Sequence, residues 1–407
     1  MKGPVSIVRT GTIPDYKNKE VLYEWRSDAS YLFIDRVAFR ERPGAVLCYY
    51  NPPMHQVGSQ ELVAYLEGLD AVLDQAQDLD YLLLYGSCAP FHTGGDLKES
   101  LRKLEATLEA RREKEAAGAP AEEIDLLYRW AEERLEKGIG LYRRIRQLSE
   151  HLRVVGICGG GIRFGGSAEI QLMADYILGD SRSGMCFSEA LIGLIPGWGG
   201  IARSLVKSGP ANAKAMALTA KEVMAQDLKR IGIYNEVVEV PFPFPRPEKT
   251  GDPAADRANH KAALEAHDDK TGEILLPKGL ELAIRPASEI PGPGPDRAPL
   301  LVDGDELEQE IKRRSDPSNY KEFIHRPLKE VQEEMAALGR PLAPQSVDAI
   351  LQLLESYDPG DWDEIRFAEQ EMAADAALYR DPRFLEGLRG TLNRHVPDFS
   401  PVETANV

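Results

Sequence analysis

Short, continuous apolar runs alternate with segments in which apolar residues recur every three or four positions. Val37-Ala38-Phe39 and Ala45–Tyr50 read as two strands around a turn at Pro43-Gly44. Leu62, Leu66, Leu69 and Leu73 fall at helical spacing, and Tyr81–Tyr85 and Arg153–Cys158 follow as runs apolar on both faces. A strand apolar on both faces suits a position between two helix layers. Ala174–Leu178 and Glu236–Val240 are further strand candidates. Strands alternating with helices predict an α/β protein with a largely parallel sheet.

Two segments break the alternation. From Leu97 to Glu150 the chain is charged and helix-forming, interrupted at Gly118-Ala119-Pro120, with Leu97, Leu101, Leu104 and Leu108 on one face. This predicts a helical hairpin, residues 97–150, inserted into a core of residues 31–240, its charges on a solvated face. Residues 241–300 carry Pro-Phe-Pro-Phe-Pro and Pro291-Gly-Pro-Gly-Pro295, a composition that predicts an extended linker. Helical patterns at 305–313, 321–338, 346–357, 362–379 and 383–393 then define a C-terminal helical region, residues 301–407. Residues 1–30 are polar and weakly periodic, and are taken as an N-terminal extension.

Composition narrows the function classes. Of 407 residues, 49 are Lys or Arg and 66 are Asp or Glu, a net charge of −17. Such a field repels nucleic acid and anionic membranes, so neither is expected as a partner. An anionic small molecule remains compatible, because local backbone dipoles can outweigh a diffuse surface charge. Cys48, Cys88, Cys158 and Cys186 are far apart in sequence and show no metal-ligand spacing. They are expected to be reduced core residues. With no apolar leader in residues 1–15 and no run of about 18 apolar residues, the expected location is cytoplasmic.

The chemistry concentrates at two glycine-rich turns, each after an apolar strand and before a helix. They are Phe91-His92-Thr93-Gly94-Gly95-Asp96-Leu97-Lys98 and Gly159–Glu169. Glycines leading into a helix leave backbone N–H groups free at the carboxyl ends of the strands. One such donor from each turn could hold a thioester oxygen as it gains negative charge. The plain alternative is that the glycines only permit tight turns. Glu169 begins the helix after the second turn, and Glu189 sits in the apolar stretch Met185–Gly193. Burial raises a carboxyl pKa, and two carboxyls with separated pKa values can act as base and acid. Either could instead be a solvated or capping residue.

These motifs resemble the crotonase family, the enoyl-CoA hydratase/isomerase superfamily. Phe91–Lys98 is similar to the family's loop ending Gly-Gly-Asp-Leu-Lys, and Gly161–Glu169 to its glycine loop before the first glutamate. Glu189–Gly200 resembles the stretch from the second glutamate to Pro-Gly-x-Gly-Gly, and Arg203 also fits. The resemblance implies a crotonase-type ββα spiral core with the hairpin inserted and the helical region appended. It further implies an oxyanion hole from the Gly95 and Gly166 N–H groups, with Gly95, Asp96, Leu97, Lys98 and Gly166 contacting the CoA ester. Glu169 and Glu189 correspond to the catalytic pair. An acyl-CoA substrate, no separate cofactor, no metal, and a homotrimer or homohexamer are implied as well. His92, Arg163 and Trp198 depart from the family pattern and are candidate pocket residues. Hydration or isomerisation of an acyl-CoA is the leading expectation. Thioester hydrolysis, ring cleavage or addition on a cyclic acyl-CoA, and non-catalytic acyl-CoA binding stand as alternatives.

Overall fold

The computed structural model describes residues 4–28, 30–292 and 298–401. Its large sheet runs in chain order: Tyr16–Arg26, Tyr31–Phe39, Arg42–Tyr50, Tyr81–Gly86, Arg153–Cys158, Tyr176–Asp180 and Glu236–Val238. The first two pairings are antiparallel and the rest parallel. A small sheet holds Phe91–His92, Ile162–Phe164 and Gly184–Cys186 side by side and parallel, with Val223–Met224 antiparallel at one edge.

The order of elements explains both sheets. Three times the chain adds a strand to the large sheet, then one to the small sheet, and then turns back through helical structure. This ββα winding is the expected spiral. Alternation along each strand splits the core in two. Leu82, Leu84 and Val154 pack with Leu62, Leu69, Ile139 and Tyr142 on one face. Leu83, Val155 and Ile157 pack with Leu275, Leu276 and Leu280 on the other.

Several expectations change. The turn between the second and third strands is at Arg40-Glu41, whose φ angles are 46° and 62°, while Pro43 and Gly44 lie inside the strand Arg42–Tyr50. Gly44 is needed because Tyr81 crosses it; a Cβ there would lie 2.2 Å from the ring. The first 30 residues are no detached extension, because Tyr16–Arg26 pairs along the second strand at the sheet edge. The linker expected over 241–300 is instead dominated by a 32-residue helix, Pro253–Ile284, whose C-terminal half covers the second core. Asp252 caps that helix by accepting from the Ala254 N–H. Pro293–Pro295 of the proline-glycine motif lie outside the described residues.

The inserted hairpin forms from Leu97–Ala116 and Arg129–Leu148, joined through Ala121–Asp125. Its second arm buries Leu135, Ile139, Leu141, Tyr142 and Ile145, so only the first arm is largely solvated. Of the C-terminal helices, Gly304–Ser315, Pro344–Glu355, Glu364–Leu378 and Pro382–Asn393 match the expected periodicity. The helix expected over 321–338 shortens to Gln332–Leu338, because Pro327 interrupts it and the chain before it pairs with residues 395–396. No helix among the described residues is long and apolar enough to cross a membrane. The four cysteines are buried and free.

Candidate active site

The three parallel strands of the small sheet end next to one another, and each delivers one part of a shared cavity. After Phe91–His92 the chain reaches Gly95, after Ile162–Phe164 it reaches Gly166, and after Gly184–Cys186 it reaches Glu189. All three line a cavity of about 440 Å³, together with Glu169, Leu97 and Trp198.

Each glycine N–H is freed by the local backbone. Val57 bridges Gly95 by donating to the Gly94 carbonyl (2.7 Å) and accepting from the Asp96 N–H (3.3 Å). That pattern leaves the N–H of Gly95 facing away from Val57. Gly166 opens the helix Gly166–Leu172, where the first N–H groups have no intrahelical acceptor. The loops touch: a Cβ on Gly94 would lie 3.1 Å from the Gly166 nitrogen, and the Gly94 N–H donates to Ser167 Oγ (3.1 Å).

The carboxylates are buried beside these donors in unlike surroundings. Glu169 Oε1 accepts from the N–H groups of Trp198 (2.8 Å) and Gly200 (3.1 Å). Burial pushes its pKa up to about 7, and those two donors, which favour the ionised form, hold it from going higher. Glu189 lies against Gly165; a Cβ there would be 2.7 Å from Glu189 Oε1. Its Oε2 is buried with no hydrogen-bond partner among the described residues. Burial first, and the neighbouring Glu169 second, push Glu189 well above the carboxylate range.

The profile of the family described as enoyl-CoA hydratase/isomerase matches residues 132–241, which contain Gly166, Glu169 and Glu189. This stretch of the chain is similar to that family. Carnitinyl-CoA dehydratase of Proteus mirabilis is 29% identical over 146 residues, 36% of this chain and 56% of the relative. The mitochondrial enoyl-CoA hydratase of Pongo abelii is 36% identical over 80 residues, 20% of this chain and 28% of the relative. The chain thus matches about half, or less, of the length of these curated relatives. An enoyl-CoA hydratase structure from Rhodobacter sphaeroides aligns over 94% of this chain and 91% of its own, with a TM-score of 0.53 and 16% identity. A carnitinyl-CoA dehydratase structure from Mycobacterium thermoresistibile covers 89% and 91%, with a TM-score of 0.50 and 16% identity. At such identity the structural likeness speaks to the fold, a crotonase-type α/β spiral.

Not every residue singled out in the sequence reaches the cavity. His92 and Arg163 are register partners on the small sheet, on the face opposite Phe164, which does line the cavity. Arg163 donates to the Gly159 carbonyl (2.9 Å), and the His92 ring lies 5.0 Å from that of His55. Both are buried core residues, which corrects their reading as pocket residues; burial, and then Arg163, keeps His92 neutral. Asp96 caps the helix Leu97–Ala116 by accepting from the Lys98 and Glu99 N–H groups, and neither it nor Lys98 lines the cavity. Arg203 braces the helix Gly166–Leu172 from below, donating to the Leu172 and Ala174 carbonyls (both 3.0 Å).

Three cavity residues carry no signal in the sequence. Arg134, from the hairpin, is buried with Nη2 over Gly95, where a Cβ would lie 2.4 Å away. Its guanidinium is 5.9 Å from the Trp198 ring, which in turn covers Gly166. Asp375, in the helix Glu364–Leu378, and Tyr379, just after it, also line the cavity. Asp375 accepts from the Ile195 N–H (2.9 Å), and Glu371 one turn earlier accepts from Ile201 (3.2 Å) and Ala202 (2.6 Å). The C-terminal helix therefore holds the loop that in turn holds Glu169. An oxyanion site beside two unlike carboxyls can stabilise an enolate and move protons to and from it.

Proposed function

We propose that this protein is an acyl-CoA hydratase/isomerase that stabilises a thioester enolate with the Gly95 and Gly166 N–H groups and moves protons with Glu169 and Glu189. The reading rests on one observation above all: two free backbone donors and two buried carboxyls from three successive turns of the spiral line one cavity. The names of the relatives, hydratase and dehydratase, describe one reaction in its two directions.

The environments divide the roles. Glu169, with its charge supported by two N–H groups, is the ionised partner and the base. It takes a proton from water as the oxygen bonds to Cβ of a 2-enoyl thioester. The C=C electron pair moves towards the thioester, and the oxygen that becomes negative lies between Gly95 and Gly166. Glu189, kept protonated by its apolar surroundings, gives its proton to Cα. Water is consumed, no electrons are transferred, and a proton passed from Glu169 back to Glu189 resets the pair. Such a reaction needs no redox cofactor and no metal at the reacting atoms, and the CoA arrives as part of the substrate. The family resemblance extends the proposal to a homotrimer or a dimer of trimers.

The test is incubation with a panel of acyl-CoAs, following added water by mass spectrometry and released thiol by absorbance. Water added with the thioester intact is the expected result. Thiol release without a hydrated product would make the protein a hydrolase. Binding of every ester with no turnover would make it a binding subunit.

A further inference from the structure

We propose that His325, Glu386 and His395 form a binding site for a divalent transition metal of the zinc type, remote in function from the cavity chemistry. The three come from separate segments: a loop, the helix Pro382–Asn393, and the chain just after it. Their donor atoms all lie within 4.8 Å of one another. His325 Nδ1 is 3.4 Å from Glu386 Oε1, and His395 Nε2 is 3.6 Å from the same oxygen. Ligands at zinc bond lengths in a tetrahedron stand about 3.4 Å apart. Two of the three ligand pairs therefore already have the spacing that a central ion requires.

The backbone holds them there. The His325 N–H donates to the Val396 carbonyl (2.9 Å), residue 395 bridges to Pro327, and the His395 N–H donates to the Gly390 carbonyl (2.9 Å). The Asp398 N–H donates to the same Glu386 Oε1 (3.2 Å), which helps to fix the carboxylate, as partners of metal ligands commonly do. His395 Nε2 is buried and has no hydrogen-bond partner among the described residues. A buried ring nitrogen turned towards a carboxylate without hydrogen-bonding it lacks a ligand, and a cation would supply one. Two imidazoles and one carboxylate suit Zn²⁺, Co²⁺ or Ni²⁺, whereas Mg²⁺ and Ca²⁺ prefer all-oxygen shells. His325 is exposed, so water can complete the coordination.

The position indicates what the metal does. Tyr320, Val331, Met335 and Val396 form a small hydrophobic cluster of their own, apart from the two main cores. A lobe with so little buried apolar surface gains from an added cross-link. An ion here would tie residues 324–328 to the helix Pro382–Asn393, which contributes Phe384 and Thr391 to the cavity wall.

The experiment uses the full chain, stripped with a chelator, dialysed and titrated with Zn²⁺ and separately with Co²⁺. One equivalent should bind, with visible d–d bands of a four- or five-coordinate cobalt site, a raised Tm, and slower proteolysis within 317–338. His325→Ala, at an exposed position that spares the core, should weaken affinity by about 100-fold or more. The same loss is expected for His395→Ala. No stoichiometric uptake by the wild type would overturn the proposal, and so would undiminished uptake in the His325→Ala variant. Magnesium binding as tightly as zinc would also overturn it.

Discussion

Glu169 and Glu189 are both buried glutamates, yet one is held by two N–H groups and the other leaves an oxygen unpartnered. That difference sets the pH behaviour expected of the reaction. Below pH about 7 Glu169 takes up a proton and can no longer act as base, so kcat/KM for hydration should fall as pH drops through this value. Glu169→Gln and Glu189→Gln should each lower turnover by about 10²–10⁴, with CoA-ester binding retained. Normal turnover in both variants would make the pair structural. The glycines give a second residue-scale test. A methyl group on Gly95 meets only the flexible end of Arg134, while one on Gly166 meets the rigid indole of Trp198. Gly166→Ala should therefore destabilise by about 1–3 kcal/mol more than Gly95→Ala, measured by denaturant unfolding. That the glycines and glutamates line one cavity was legible because each sits in a local motif. His92 and Arg163 misled because a one-residue step along a strand turns a side chain to the other face. Nothing local marks which face borders the cavity.

The helix Glu364–Leu378 both lines the cavity and clamps the loop between Ile195 and Ala202. Glu371 takes the two N–H groups at the start of the helix Gly200–Thr219, a favourable place for an acceptor. Glu371→Ala leaves both donors buried and unpaired, which should cost about 2–5 kcal/mol by denaturant unfolding. Turnover should fall as well, because the Gly200 N–H that holds Glu169 belongs to the same turn. Glu371→Gln keeps an acceptor and should recover most of the stability. Equal stability of the alanine variant and the wild type would remove the clamp from this account. Most elements were readable from periodicity, including the hairpin and four of the C-terminal helices. The helix Pro253–Ile284 was not, because much of its N-terminal half is exposed and polar and Pro277 interrupts the pattern. Likewise, Arg40-Glu41 forms a hairpin turn with positive φ at both residues, without the Asn or Gly that announces one.

At the scale of the whole molecule, five carboxyls among the described residues are buried in the native state with their pKa values raised. Desolvation moves Glu169 and Asp268 up to about 7 and carries Glu189, Glu371 and Asp375 well above the carboxylate range. The convergence of Glu169, Glu189, Glu371 and Asp375 could not be read from the sequence. Asp375 stands 206 positions after Glu169 and meets the same loop only through the packing of the C-terminal helices. The consequence for stability has a definite sign. A carboxyl whose pKa is higher folded than unfolded makes the native state bind more protons. Its contribution is complete below the unfolded value and is lost as pH rises through the folded one. Unfolding followed by calorimetry should therefore give a higher Tm at pH 5.5 than at pH 8. Asp268 allows the cause to be isolated, because it accepts from Ser87 Oγ (2.6 Å) and the Cys88 N–H (3.1 Å) outside the cavity. Moving a carboxyl from 3.8 to about 7 corresponds to on the order of 4 kcal/mol of native-state preference for the proton. Asp268→Asn mimics the protonated form and can keep both contacts, accepting from Cys88 and donating to Ser87. The variant should be more stable than the wild type at pH 8, by about half that margin at pH 5.5, and flatter in Tm between the two. A variant that loses stability at pH 8 would mean that Asp268 is held as a carboxylate, and the predicted slope would lose one of its five sources.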